Sequence, residues 1–110
     1  MEEEKLICIR DLVGSGHCIS PDGSQIVFDS IRSALSRGNK VRISFENIES
    51  LSASFLDAAI GRLCNEEIEG NIDEMLLFEN ISPGRKLIVE ETIREAKEYY
   101  KDPDKYLAKR

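Results

Sequence analysis

The chain lacks several features that mark membrane, nucleic-acid-binding and secreted proteins. No apolar run approaches the roughly 20 residues that a helix needs to span a bilayer. Acidic side chains outnumber basic ones by 21 to 15, and the formal net charge of −6 argues against nucleic acid or an anionic membrane as a partner. The start, Met-Glu-Glu-Glu-Lys, is the opposite of a basic signal-peptide start, so we expect a cytoplasmic protein.

Metal-binding and disulfide patterns are also missing. The three cysteines, Cys8, Cys18 and Cys64, are far apart and form no CxxC pair, so we predict neither a zinc site nor a disulfide framework. We expect reduced thiols, with Cys8 and Cys64 packed in the core. His17 is the only histidine, which excludes a metal cluster built on histidines. We therefore predict no metal and no cofactor.

Catalytic motifs are absent as well. There is no GxSxG nucleophile elbow, and the turn Gly14-Ser15-Gly16 matches neither a phosphate loop nor a dinucleotide-binding fingerprint. No clustered carboxylates stand in an apolar setting, so no acid–base pair is visible. Cys18 follows His17, but adjacency in sequence does not create the spatial Cys–His geometry of a thiol enzyme. The sequence therefore predicts a protein that is not an enzyme and has no catalytic residues.

What is present is the composition of one globular domain. The chain has 110 residues, of which 41% are hydrophobic and 33% charged. A chain of this size buries about 65% of its unfolded surface, which is enough for one core without staples. We predict a single domain over residues 1–110, with residues 103–110 as a frayed tail.

The most informative stretch runs from residue 41 to residue 63. Apolar residues first alternate with polar ones, as in a half-buried strand, at Val41, Ile43 and Phe45. After a serine-rich loop they recur at helical spacing, at Phe55, Ala59 and Leu63. This helix is expected to end near Asn65. Serine is a preferred N-cap because its hydroxyl accepts a hydrogen bond from the first turn, so the loop places Ser52 and Ser54 at the positive end of the helix.

Two further helices are predicted from their start signals. Ser20-Pro21 precedes a helix over about Ser24–Arg37, with Gly38 as its C-terminal signal. Ser82-Pro83 opens a long third helix that should end near Asp102-Pro103. Residues 66–71 are acidic and rich in turn formers, and we expect a connector there.

Two uninterrupted apolar runs predict further strands. They are Leu6–Ile9, within a strand over residues 5–10, and Met75–Phe78, within a strand over residues 74–78. Runs of this kind are typical of strands covered on both faces. Residues 11–13 are expected to extend the first strand, and a short second strand is expected near His17.

This order of elements predicts an α/β fold with a small, mainly parallel sheet of about four strands and three main helices. In open α/β sheets, function collects at the carboxyl ends of the strands. The serine loop lies at that end of the strand that begins at Val41. We therefore expect the functional surface to be there.

Two segments show a family resemblance. Residues 43–56 are Ile-Ser-Phe-Glu-Asn-Ile-Glu-Ser-Leu-Ser-Ala-Ser-Phe-Leu, and residues 78–83 are Phe-Glu-Asn-Ile-Ser-Pro. The first resembles the signature of STAS domains, the sulfate-transporter and anti-sigma-factor-antagonist family. Both are similar to the prokaryotic STAS-like domain of unknown function. The resemblance covers about residues 23–93 and implies a STAS-like fold.

The resemblance also implies a regulatory role. In anti-sigma-factor antagonists a serine of this loop is phosphorylated by a partner kinase, which switches binding off. Ser54 matches that serine, Ser52 matches the preceding aspartate, and Ala53 matches the serine between them. Phe55 replaces a glycine of the signature, so the STAS-like family fits better than the classical antagonists.

We therefore expect a non-enzymatic regulatory module that binds a signalling protein, such as a histidine-kinase-like ATPase. The predicted contact surface is the Ser50–Phe55 loop, with phosphorylation of Ser54 as a switch. The candidate residues are Ser50, Ser52, Ser54, Phe55 and Asp57. Two alternatives stay open: a domain that senses a small anion or a nucleotide, and serines that only cap the helix while Asp57 complements its dipole.

Overall fold

Residues 4–65 and 72–101 are described by the computed structural model. The expected connector at 66–71 and the expected tail at 103–110 lie outside these residues. Besides a 3-10 helix at Gly61–Asn65, the elements in chain order are β1 (Glu4–Cys8), α1 (Ile9–Val13), β2 (His17–Cys18), α2 (Pro21–Ser36), β3 (Lys40–Ser44), β4 (Ser50–Leu51), α3 (Ala53–Ala59), α4 (Ile72–Met75), β5 (Leu76–Glu79) and α5 (Pro83–Lys101).

Three parallel strands form the main sheet, in the order β1-β3-β5. Strand β3 is central, since Val41 pairs with Lys5 on one side and with Leu76 on the other. Strands β2 and β4 form a separate two-stranded parallel ribbon. The predicted α/β fold, with a small parallel sheet and three main helices in α2, α3 and α5, is confirmed. Its strands are divided between a sheet of three and a ribbon of two.

Only one face of the main sheet lies against the core. Ile7 and Ile43 are register neighbours on that face, and both are buried. On the opposite face Leu6 is 58% exposed and Leu77 is 43% exposed. The expectation that both apolar runs are covered on both faces is therefore wrong.

The reason lies in where these runs sit in the sheet. They belong to the outer strands, whereas the strand with alternating polarity is the central one. On the open face of β3, Arg42 donates a hydrogen bond to Glu79 Oε2 at 2.8 Å and lies 3.8 Å from Glu4 Oε2. Burial of a charged side chain is costly, so Arg42 favours the face of the sheet that water reaches. The alternation of apolar and polar residues along β3 therefore indicated one-sided burial correctly.

The first strand also ends earlier than expected. Residues 9–13, predicted as strand, form the short helix α1. Gly14 closes it in the left-handed conformation at φ 81°, and its N–H donates to the Arg10 carbonyl at 2.8 Å. Glycine adopts this conformation without steric cost, so the Gly14-Ser15-Gly16 turn begins as a helix C-terminus.

Helix α2 follows its start and stop signals. Ser20 Oγ accepts a hydrogen bond from the Gly23 N–H at 3.0 Å, and Pro21 occupies the first helical position. The helix ends at Ser36, one residue from the predicted end, and Gly38 then turns the chain at φ 81°. Its expected apolar face is buried, at Val27, Ile31, Ala34 and Leu35.

The end of the second predicted helix and the start of the last predicted strand also differ from the prediction. The helix predicted to reach Asn65 ends as α3 at Ala59 and continues as the 3-10 helix. A Cβ at Gly61 would lie 2.7 Å from Asp57 Oδ1, so a larger residue there would displace the Asp57 side chain, whereas its 3.5 Å distance to Ala96 Cβ of α5 would be an ordinary van der Waals contact. Residues 74 and 75, predicted as strand, end helix α4, and β5 begins at Leu76.

One-sided burial predicts unequal effects from two adjacent residues of β1. Ile7→Ala should lower the free energy of unfolding by about 2–5 kcal/mol, because Ile7 is only 3% exposed. Leu6→Ala should lower it by less than about 1 kcal/mol, because Leu6 faces water. Urea denaturation of both variants measures the difference. Equal losses would contradict the one-sided sheet.

Candidate functional site

The ribbon of β2 and β4 brings two distant loops together. The Gly16 carbonyl accepts hydrogen bonds from two successive amides, Glu49 N–H at 2.8 Å and Ser50 N–H at 3.1 Å. One step further on, the Ser52 N–H donates to the Cys18 carbonyl at 3.2 Å. A Cβ at Gly16 would lie 2.8 Å from the Asn47 oxygen, so the loops approach this closely only with glycine there. The ribbon therefore fixes where the serine loop begins.

The serines stand where the sequence placed them, but they have different contacts. Ser52 is the N-cap of α3, and its Oγ accepts from the Phe55 N–H at 3.0 Å. Ser54 lies in the first turn, is exposed, and its Oγ is 3.4 Å from Ser52 Oγ. The expectation that a pair of hydroxyls stands at the start of this helix is confirmed. Only Ser52 satisfies a backbone amide.

Phe55 is not part of the exposed surface. It is 2% exposed and belongs to the hydrophobic core, as does Leu56. A Cβ on Gly23 of α2 would lie 3.4 Å from the Phe55 ring, so the first turns of α2 and α3 pack together there. The inclusion of Phe55 among the partner-contacting residues is therefore corrected: it supports the loop from beneath.

Asp57 lies about one turn further along α3 than Ser54. Its carboxylate lies beside Gly61 and is close enough to Tyr100 of α5 to act on it electrostatically. Burial raises the pKa of the Tyr100 hydroxyl, and the negative charge of Asp57 raises it further. The structure therefore groups Ser50, Ser52 and Ser54 in one loop and places Asp57 towards α5.

Sequence reasoning missed a second cluster in this loop. His17 Nδ1 lies 3.2 Å from Ser50 Oγ, and His17 Nε2 lies 3.3 Å from Glu49 Oε2. His17 is exposed, and its backbone N–H donates to Ser15 Oγ at 3.0 Å. The signal was hidden because His17 and Ser50 are 33 residues apart and become register partners only when β2 pairs with β4.

The side chain of Arg85, in α5, also holds this loop. Its guanidinium donates to the Ile48 carbonyl at 2.9 Å and to the Glu49 carbonyl at 3.2 Å. Its backbone N–H donates to Ser82 Oγ at 3.3 Å, so the residue is anchored in the first turn of α5. Arginine suits this role because its planar group can bond two acceptors at once. The sequence marked Ser82 as a cap and gave no sign that Arg85 reaches back to the loop.

Cys18 is a residue of the ribbon, in β2, and its side chain is fully buried, whereas Cys8 and Cys64 are half-buried. Burial raises the pKa of the Cys18 thiol, and the positive charge of Arg85 opposes this shift. All three cysteines are free in the structure. Cys64 packs against the core as expected, whereas Cys8, which was also expected there, is half-buried and is not among the residues packed against it. Cys18 is the cysteine most enclosed by the core.

Across residues 4–65 and 72–101, no helix combines the length and apolarity needed to cross a membrane. In the same part of the chain, no group of three or more His, Cys, Asp or Glu side chains is placed to hold a metal ion.

Comparison with known proteins identifies the family. The family model described as a STAS-like domain of unknown function (DUF4325) matches residues 24–86, which is more than half of the chain. The chain therefore belongs to this STAS-like family, and the resemblance found in the sequence is confirmed. The match includes the serine loop and Arg85, whereas His17 precedes it. No curated protein and no solved structure matches the chain.

Removal of the Arg85 guanidinium should loosen the loop. Arg85→Met should lower the free energy of unfolding by about 1–3 kcal/mol, because two carbonyls lose a charged donor. Amide hydrogen exchange at Glu49 and Ser50 should become faster. Lys86→Met, at the exposed neighbouring position, is the matched control and should change neither quantity. Identical behaviour of the two variants would show that Arg85 does not hold the loop.

Burial of Cys18 predicts slow alkylation. In the folded chain at pH 8, iodoacetamide should modify Cys18 at least about tenfold more slowly than Cys8, because less thiolate forms and the sulfur is enclosed. Peptide mass spectrometry gives the two rates, and unfolding in urea should make them similar. Faster modification of Cys18 would reveal an activated thiol and would reopen the possibility of an enzyme.

Proposed function

We propose that the chain is a non-enzymatic regulatory module that binds a signalling protein, a histidine-kinase-like ATPase, through the exposed side of the loop from Ser50 to Ser54. The observation on which this rests is the position of Ser54. Ser54 is exposed in the first turn of α3, and the residue that caps this helix is Ser52. Ser54 is also the residue that matches the phosphorylated serine of anti-sigma-factor antagonists.

The support beneath the loop favours a preformed contact surface. Phe55 and Leu56 anchor its helical end in the core, and Arg85 binds its preceding carbonyls. A loop fixed in this way loses little conformational freedom when a partner docks, which lowers the entropic cost of association. The serine hydroxyls would then be read in a defined geometry.

Phosphorylation of Ser54 would change this surface electrostatically. A phosphate adds about −1.5 to −2 charges at neutral pH. Glu46 and Glu49 are exposed in the same loop region, so the added charge would enlarge an already acidic surface. A partner that binds the neutral hydroxyl against an apolar or acidic patch would be repelled, which gives the module two states.

A capture experiment from the native host tests the proposal. Ser54→Ala should retain the partner, whereas Ser54→Glu should reduce its recovery by about tenfold or more, because the carboxylate imitates the charge of phosphate. Ser33→Ala and Ser33→Glu are matched controls, since Ser33 is exposed in α2. Circular dichroism verifies that all variants fold.

Two outcomes would contradict the proposal. Equal recovery of partners by the wild type and both Ser54 variants would remove its basis. Thermal stabilisation of the chain by a nucleotide or by phosphate, with no protein captured, would favour the alternative of a small-anion or nucleotide sensor.

A further inference from the structure

The contacts of Ser50 differ from those of the other two loop serines. Ser50 Oγ lies 3.2 Å from His17 Nδ1, and Glu49 Oε2 lies 3.3 Å from the other ring nitrogen. An ionised carboxylate can only accept a hydrogen bond, so the neutral imidazole that satisfies Glu49 carries its proton on Nε2. Nδ1 then presents a lone pair to the Ser50 hydroxyl. A nucleophile, a base and a group that orients the base are thus in contact.

Neither of the neighbouring serines has such a base. Ser52 Oγ is engaged by the Phe55 N–H, and Ser54 Oγ lies near Ser52 Oγ. The chain has a single histidine, and its two ring nitrogens face Ser50 and Glu49. Ser50 is therefore the loop serine whose hydroxyl lies within hydrogen-bond distance of a ring nitrogen that can accept its proton.

The backbone holds this arrangement in place. His17 and Ser50 are direct register partners of the ribbon, and both Glu49 and Ser50 donate their N–H groups to Gly16. Arg85 binds the carbonyl of Glu49 from the other side. This frame fixes the backbone positions from which the His17 and Ser50 side chains meet, and proximity of this kind favours transfer reactions. The His17 and Glu49 side chains themselves are 58% and 73% exposed.

The same hydrogen bonds restrict the chemistry. Acyl hydrolysis needs free backbone N–H groups or other donors at the developing oxyanion. The N–H groups of Glu49, Ser50 and Ser52 are already bonded to carbonyls of the first loop. Phosphoryl transfer needs less from the acceptor side, because the donor's own site positions the phosphoryl group and stabilises its charge.

We propose that Ser50 is a phosphoryl acceptor, with His17 as its general base and Glu49 as the positioning residue that fixes the imidazole. The Ser50 oxygen attacks the terminal phosphorus of a nucleoside triphosphate, and the Oγ–P bond forms as the bridging P–O bond of the donor breaks. The hydroxyl proton passes to His17 Nδ1, and the nucleoside diphosphate leaves. That the donor is held by the partner ATPase rests on the proposed function.

Phosphorylation of Ser50 would change the side-chain contacts on the ribbon. A phosphate on Ser50 would lie beside the protonated imidazole and would repel the nearby Glu49 carboxylate. The contact between His17 and Glu49 at 3.3 Å would then be exchanged for one between His17 and the phosphate. Modification at Ser50 would therefore alter the surface that precedes Ser52 and Ser54.

Reactivity of Ser50 is testable on the purified chain without any partner. Diisopropyl fluorophosphate transfers its diisopropylphosphoryl group to a serine oxygen, with cleavage of the P–F bond and release of fluoride. Because no partner site stabilises the charge of this reagent, the comparison of Ser50 with Ser54 measures the effect of the base alone. We expect Ser50 to be modified at least about tenfold faster than Ser54, as measured by intact mass and peptide fragmentation.

Variants separate the roles of the three residues. His17→Asn should lower the Ser50 rate by about 10²-fold, whereas Glu49→Gln should lower the rate less. Ser33→Ala, at an exposed position of α2, is the matched control and should leave the Ser50 rate unchanged, and circular dichroism confirms folding. Equal modification of Ser54, or an unaltered Ser50 rate in His17→Asn, would overturn the proposal.

These results are independent of partner capture. If the wild type captures no protein partner but its Ser50 rate is intact, the proposed function alone is refuted; if capture depends on Ser54 but Ser50 is inert, this inference alone is refuted. In the chain purified from its native host, a phosphate located by fragmentation at Ser50 would support the inference, and one located only at Ser54 would contradict it.

Discussion

Two hydrogen bonds to one carbonyl oxygen organise the end of this protein that carries the serine loop. Gly16 accepts from the amides of Glu49 and Ser50, and so joins a loop that precedes α2 to the loop that precedes α3. The pairing sets His17 beside Ser50 and brings Ser52 to the start of its helix. Because any side chain at position 16 would collide with the Asn47 oxygen, the whole arrangement depends on a glycine.

Two further sets of contacts hold the two paired loops in a fixed position. The core holds it from below through Phe55, and Arg85 holds it from the side through two carbonyls. The three serines of one short loop consequently have three different environments: Ser52 caps, Ser54 is exposed, and Ser50 contacts the histidine. Residue type alone therefore does not say what a serine in this loop can do.

Much of the fold could be predicted because its signals are local. Serine and proline at the start of α2 act within four residues of chain, and apolar spacing along α2 reports one buried face. The strands were found, but their coverage was not, since Leu6 and Leu77 lie in apolar runs and still face water. An apolar run identifies a strand, whereas its burial depends on which other elements are stacked on it.

The sequence by itself determined the order of the three main strands and the three main helices, the serine cap of α3 and the membership of a STAS-like family. Only the tertiary structure decided that β3 is central, that Phe55 is buried and that His17 and Arg85 reach the serine loop. Capping and periodicity depend on neighbours a few residues away, so they are visible in the sequence. Contacts across more than thirty residues depend on the pairing of whole segments, which a local pattern does not encode.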